Sequence, residues 1–208
     1  MTHTIKGIAC DFGNVLFADG SIEAVKKLSS QYDKDLMMYV LTSKSEMGKR
    51  VRAEDTYWPT YEESARRILK EHDISYDEVV DVWFNSYTLN TKMLHFLQRA
   101  KVSGIKIIAY SGNIRKRVEF LYQKYPEVPK VFDVEVFSYD YNMSKENIVF
   151  TEHMVEKSGL QANEIVWIDD VLPFKVFADR VGVNFVSYRD EAKFIEQLKE
   201  HSLDKYWE

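Results

Sequence analysis

Four polar groups, far apart along the chain, could together do chemistry. Residues Ile8 to Leu16 read IACDFGNVL, so a short apolar stretch delivers Asp11 into a glycine-containing turn. Ser111 follows IIAY and precedes Gly112, Lys145 lies within YNMSKEN, and Asp169 and Asp170 close IVWIDD. A carboxylate, a hydroxyl, a lysine and a second acidic site in that order suit phosphoryl transfer. Asp11 is the candidate nucleophile, because attack by a carboxylate on phosphorus splits a hard hydrolysis into two easier steps through an aspartyl-phosphate. Its charge repels a phosphate dianion, so a cation must lie between them. Mg²⁺ suits an all-oxygen site, with Asp11 and Asp170 as side-chain ligands and Asp169 as a ligand or an outer support. Ser111, the Gly112 amide, Lys145 and Asn14 are the candidate phosphate-binding groups. In phosphoryl transfer most catalysis is positioning and charge stabilisation, and these groups supply both.

Each residue alone has a plainer reading. An Asp after a strand often caps a helix, Ser-Gly-Asn is an ordinary turn, and a lone Lys is usually solvated. Their joint placement carries the functional reading, and it depends on the elements between them. The apolar runs Ile5–Asp11, Ile105–Tyr110, Val134–Phe137, Ile165–Ile168 and Asn184–Ser187 read as strands. Helical patterns fill the gaps at 114–125, 146–158, 174–181 and 191–201, and another ends near Gly104. Near-continuously apolar strands alternating with helices predict a doubly wound, Rossmann-like parallel sheet covered on both faces. Ligands bind such sheets beyond the carboxyl ends of the strands, which is where Asp11, Ser111, Asp169 and Asp170 fall. From about Ser21 to Tyr87 the signal is helical throughout. Thr60 and Ser75, each with an acid three residues on, read as capping boxes, and Pro59 reads as a break. The expected division is an α/β core of residues 1–17 and 90–208 with an α-helical insert of residues 18–89.

Composition narrows the setting. The chain has 208 residues, 45% hydrophobic and 29% charged, ordinary for a soluble globular protein. A net charge of −5 speaks against a nucleic-acid partner. No apolar run reaches the roughly 20 residues of a membrane span. Cys10 is the only cysteine, so no internal disulfide can form, and the expected compartment is the cytoplasm. Cys10 itself, inside an apolar strand, reads as a buried core residue. The clusters Lys49-Arg50-Val51-Arg52 and Arg115-Lys116-Arg117 read first as solvated helix faces, with binding of an anionic substrate as the alternative.

These motifs resemble the haloacid dehalogenase superfamily, most of whose members are phosphatases. Ile8 to Leu16 is similar to its first motif in the form D-x-G-N-V, and Ile107 to Gly112 to its second. Phe132-Asp133 through Ser138 to Lys145 is similar to the third, and Ile165 to Asp170, with Ala178 and Gly182, to the fourth. The insert matches the position of the family's C1 cap, which by resemblance closes over the active site and selects the substrate. The resemblance implies a Mg²⁺-dependent hydrolase of a small phosphorylated metabolite, such as a sugar phosphate.

Three departures bear on that expectation. Gly13 stands where most family phosphatases carry an acid–base Asp; its carbonyl can still bind the metal, but proton transfer to the leaving group is lost from that position. Glu146 follows Lys145 where Pro is usual. Phe174 stands four after Asp170, where the family usually has Asn or Asp, removing an outer support for the metal. Two other functions compete: a non-catalytic binding module, favoured by Gly13 and Phe174, and a dehalogenase, disfavoured because that branch lacks the Asp169-Asp170 acidic pair. Specificity is expected in the insert, where Arg50, Arg52, Tyr57 and Trp58 form a basic–aromatic stretch suited to a polar leaving group. A plain role in the insert's core is the alternative for the two aromatics. Oligomeric state is not legible.

Overall fold

The structure, a computed structural model, describes residues 4–207. The elements follow in chain order: β1 (Gly7–Cys10), α1 (Gly20–Leu28), α2 (Lys34–Leu41), α3 (Glu46–Ala53), α4 (Trp58–Lys70), α5 (Tyr76–Asn85), α6 (Thr91–Val102), β2 (Lys106–Ser111), α7 (Arg115–Lys124), β3 (Val134–Phe137), α8 (Ser138–Tyr141), α9 (Ile148–Ser158), β4 (Ile165–Asp169), α10 (Lys175–Val181), β5 (Asn184–Ser187) and α11 (Glu191–Glu200). The strands form one sheet in the order β3-β2-β1-β4-β5, every pair parallel.

Alternation along the strands explains two cores. Ile8, Cys10, Ile107, Ala109, Val166 and Ile168 enter one apolar cluster, and their neighbours Ala9, Ile108, Tyr110, Ile165 and Trp167 enter the other. Successive side chains point to opposite faces of a strand, so a sheet buried on both sides must be apolar at every position, and the expected doubly wound architecture is what forms. The larger cluster continues into the helices of the insert through Met37, Tyr61 and Trp83.

The chain leaves β1 for five helices and returns at α6. The departing and returning segments are tied to each other: Ala18 N donates to Thr88 O (2.9 Å), Asn90 N to Leu16 O (2.9 Å), and Phe17 bridges Leu89. Side-chain caps start most insert helices, with Asp19, Asp33, Ser45 and Ser75 accepting from first-turn amides. Ser75 is the cap the sequence predicts. Thr60 is not: α4 begins two residues earlier, at Trp58, and takes Pro59 into its first turn, where the missing N–H costs nothing and the fixed φ already suits a helix. The helix expected at Glu146 starts at Ile148, because Asn147 caps it. The single turn α8 had no periodic signal to announce it.

Candidate active site

In a sheet ordered 3-2-1-4-5 the direction of winding reverses beside β1, and the crevice at that reversal is where side chains from several strand ends can meet. Asp11 directly follows β1, Ser111 ends β2, and Asp169 ends β4 with Asp170 next to it. Lys145 comes from the loop before α9. Its Nζ lies 2.7 Å from Asp11 Oδ1 and 2.6 Å from Asp169 Oδ2. Lys145 is 5% exposed, Asp11 8% and Asp169 0%, so these are short pairs in a largely water-free setting. Each carboxylate of Asp11, Asp169 and Asp170 offers an oxygen within 4.8 Å of the others.

The three acids differ in their surroundings. Asp169 is the most engaged: Oδ2 accepts from Lys145 Nζ and Trp167 Nε1 (3.1 Å), and Oδ1 from Val171 N (2.8 Å). It orients Lys145 and is the least free to hold a cation. Asp170 Oδ2 accepts the Asn14 side-chain amide at 3.0 Å. Burial raises the Asp11 carboxyl to about 6, Lys145 opposing and Asp169 reinforcing the shift. Asp170 is also raised, by burial first, with Asn14 opposing. Burial pulls Lys145 down, but Asp11 and Asp169 outweigh it and hold the lysine firmly charged. One ammonium among three close carboxylates leaves net negative charge in a low-dielectric pocket, and a divalent cation on oxygen ligands fits that imbalance. Asp11 and Asp170 are the less engaged of the three acids and so the freer to hold one, and Gly13 lines the same space.

The remaining expected residues fall as follows. Asn14 adopts φ 54°, a left-handed conformation that Asn tolerates better than most residues. Its amide is spent on Asp170 and its Oδ1 accepts from Asp19 N (3.2 Å), so it joins the first turn to the end of β4. Ser111 is 1% exposed, and its Oγ accepts from Asn113 Nδ2 at 3.4 Å. Gly112 is open on its Cβ side and lines the cavity directly. Phe174 stacks on Trp167 at 6.0 Å and lies 5.8 Å from Lys145 Nζ; with Tyr110 at 5.2 Å it walls the ammonium with aromatic rings. A ring therefore stands where an outer metal support was expected. Cys10 is buried, and burial pushes its thiol well up, as its place in β1 predicts.

A cavity of about 630 Å³ opens above this cluster, bounded by Asp11, Lys145 and Asp170 on one side and by residues of α1 and α3 on the other. Arg50 and Arg52 line it, whereas Tyr57 and Trp58 do not. Tyr57 lies under the Arg50 guanidinium (4.1 Å), and Trp58 packs on Tyr61 while donating to Glu62. The alternative reading of the two aromatics, packing within the insert, is the one the geometry follows. Arg50 itself is held by Glu54 at 2.9 Å.

Arg117, read first as part of a solvated helix face with anion binding as the alternative, is 4% exposed and lines the same cavity. A signal was present: Ile114, Arg117, Val118 and Leu121 recur at helical spacing, which puts a charge on an apolar face. The reading of 115–117 as a solvated face holds only for its first two members, which reach across to the insert: Arg115 pairs with Asp55 (3.0 Å) and Lys116 with Glu62 (3.5 Å).

No family model matches the chain. An uncharacterised protein of Dictyostelium discoideum is 26% identical over 163 residues, 75% of this chain and 68% of that one. A HAD family enzyme from Bacteroides thetaiotaomicron superposes with a TM-score of 0.71 at 17% identity, covering 89% of this chain and 94% of that one. The same enzyme in complex with magnesium and inorganic phosphate gives 0.69 at 17% identity, over 88% and 93%. The L-2-haloacid dehalogenase of Xanthobacter autotrophicus gives 0.67 at 15% identity, over 93% and 82%. A five-stranded parallel sheet carrying Asp11 beyond its central strand, with a helical insert directly after it, gives this chain the fold of the haloacid dehalogenase superfamily.

Proposed function

We propose that the protein is a Mg²⁺-dependent phosphatase acting on a small phosphomonoester through an aspartyl-phosphate on Asp11. The observation that carries this reading is the Asp11–Lys145 contact of 2.7 Å with Asp170 within ligand range, facing a cavity of substrate size. The magnesium and phosphate found in a neighbour of the same fold support it. In this reading residues 1–17 and 90–208 are the catalytic domain and residues 18–89 its cap.

Asp11 and Asp170, with the Gly13 carbonyl, would hold Mg²⁺, which when bound supplies positive charge against the phosphate oxygens. Asp11 is mostly ionised at neutral pH, since burial lifts it only to about 6. Lys145 holds Oδ1 in place, and the carboxylate attacks phosphorus. The Asp11 O–P bond forms, the bond to the leaving oxygen breaks, and that oxygen takes a proton from water. A second water then attacks phosphorus and releases Asp11 and inorganic phosphate. Lys145, fixed by Asp169, offsets the charge on the phosphoryl oxygens throughout, while the Gly112 amide and Asn113 border the same space. Gly13 contributes no proton, so leaving groups that are stable as anions should depart fastest.

Phosphate release from a panel of esters, including an activated aryl phosphate, with Mg²⁺ and with chelator, tests this. Mg²⁺-dependent turnover abolished by Asp11→Asn supports the proposal. No turnover of any ester would leave a non-catalytic module of the same fold as the better reading. The dehalogenase reading is weakened by Asp169 and Asp170 both being present in the cluster.

A further inference from the structure

The cavity is also lined by a second polar cluster, Arg52, Arg117 and Tyr87, that the phosphoryl chemistry leaves unused. Arg117 donates Nε to Asn113 Oδ1 (2.7 Å) and Nη1 to Tyr87 OH (2.6 Å). Arg52 donates Nη1 to Gly48 O (2.6 Å) and Nη2 to Leu41 O (2.7 Å) and Ser21 Oγ (3.3 Å). Every acceptor is neutral. Among the described residues no carboxylate forms an ion pair with either guanidinium. Asp19, a nearby acid that acts on Arg52, caps α1 with its Oδ1 through Ser21 N and Ile22 N and is not ion-paired with either guanidinium.

The hydrogen-bond count runs to donors in excess. A guanidinium carries five N–H donors, and the contacts above use two on Arg117 and three on Arg52. Ser21 Oγ also accepts from Trp83 Nε1 (2.9 Å), so both its lone pairs are taken and its own proton goes to Tyr87 OH (2.9 Å). Tyr87 OH then accepts from Ser21 and Arg117 and keeps its proton to donate. Burial and the like charge of Arg117 both push Arg52 down, to about 10. Two like charges held together in a low-dielectric wall are costly without an anion.

The arrangement is also built rather than incidental. Tyr87 is pressed against Gly20, where an added Cβ would fall 2.2 Å from the ring. A Cβ on Gly48 would fall 1.9 Å from Thr42 O, so α3, which carries Arg52, depends on a glycine for its close approach.

We propose that Arg52, Arg117 and Tyr87 form a second oxyanion subsite, and that the substrate is a phosphomonoester whose leaving group bears another acidic group, a carboxylate or a second phosphate. The guanidinium fork matches either oxyanion. This rests on the phosphatase reading, with the transferred phosphoryl at Asp11 and the second charge at the arginines. Arg52 comes from the insert and Arg117 from the sheet domain, so one ligand group would bridge the two.

Three probes on the same three-carbon frame test it: phospholactate, the amide of phospholactate, and propanediol bisphosphate. The expected result is a kcat/KM for phospholactate, the bisphosphate or both that exceeds the amide's by about 10- to 100-fold, the range of charge-assisted hydrogen bonds. Which of the two anions leads identifies the second group. Arg117→Met should bring the acid-to-amide ratio toward one, a readout that a general loss of folding or chemistry does not move. Equal kcat/KM for all three esters in the wild type would overturn the subsite while leaving the phosphatase intact. Titration calorimetry of Asp11→Asn with the same probes separates the two readings if no ester turns over. Tighter binding of an anionic probe than of the amide would then keep the subsite and remove the phosphatase, and equal binding would remove both.

Discussion

A Cβ built on Gly13 would lie 3.9 Å from Asp11 Oδ2 and meet nothing closer. The position therefore has room for a side chain beside the nucleophile, and Gly13 is not required by backbone conformation. Gly13→Asp should fold and supply the missing proton donor. General acid–base catalysis contributes roughly 10²–10⁴ in rate, so kcat on alkyl phosphates should rise by at least about tenfold, and on an aryl phosphate by much less. An unchanged alkyl-to-aryl ratio would show that proton transfer does not limit this protein.

Lys145 is the shared partner of two buried acids. Lys145→Met removes its charge and strands Asp11 and Asp169, and breaking a buried pair costs about 3–5 kcal/mol. The urea midpoint should fall accordingly, and phosphate release should be lost. A midpoint within error of the wild type would mean that the carboxylates are far better solvated than their burial indicates.

The pH dependence of metal binding follows from Asp11. Its carboxyl is raised from 3.8 to about 6, so protonation is favoured in the folded, metal-free protein below that pH. A cation must displace that proton. Mg²⁺ affinity should be nearly flat above about pH 7 and weaken by roughly tenfold per unit below 6. The rise in Tm on adding Mg²⁺, measured from pH 5 to 8, checks this; a rise as large at pH 5 as at pH 8 would contradict it.

Asn14, expected at the phosphate, lines the cavity and holds Asp170 at 3.0 Å. Asn14→Gly keeps the φ of 54° accessible while deleting the amide. Mg²⁺ Kd should rise by about tenfold, as when an outer partner of a metal ligand is lost, with a smaller change in substrate KM at saturating metal. The opposite pattern, KM up and metal affinity unchanged, would return Asn14 to the phosphate.

Much of this protein was legible in its sequence because local rules sufficed. Strands buried on both faces must be apolar at every position, so Ile8 to Cys10 and Ile165 to Ile168 announced a parallel sheet, and a parallel sheet brings its strand ends together. That logic places Asp11, Ser111 and Asp169 on one rim without knowledge of any distance, and it marks the helical insert as a break in the alternation. What side chains do once there depends on partners remote in sequence. Asp169 pairs with Lys145 from 24 positions away, and Asn14 turns to Asp170 across 156 positions. Arg117 reads as a surface charge and Arg52 as one member of a basic–aromatic stretch, and nothing joins them until α3 and α7 are packed against one cavity. Burial, not residue type, turns them from solvated groups into a concentrated positive site, and burial is a property that only the tertiary structure decides.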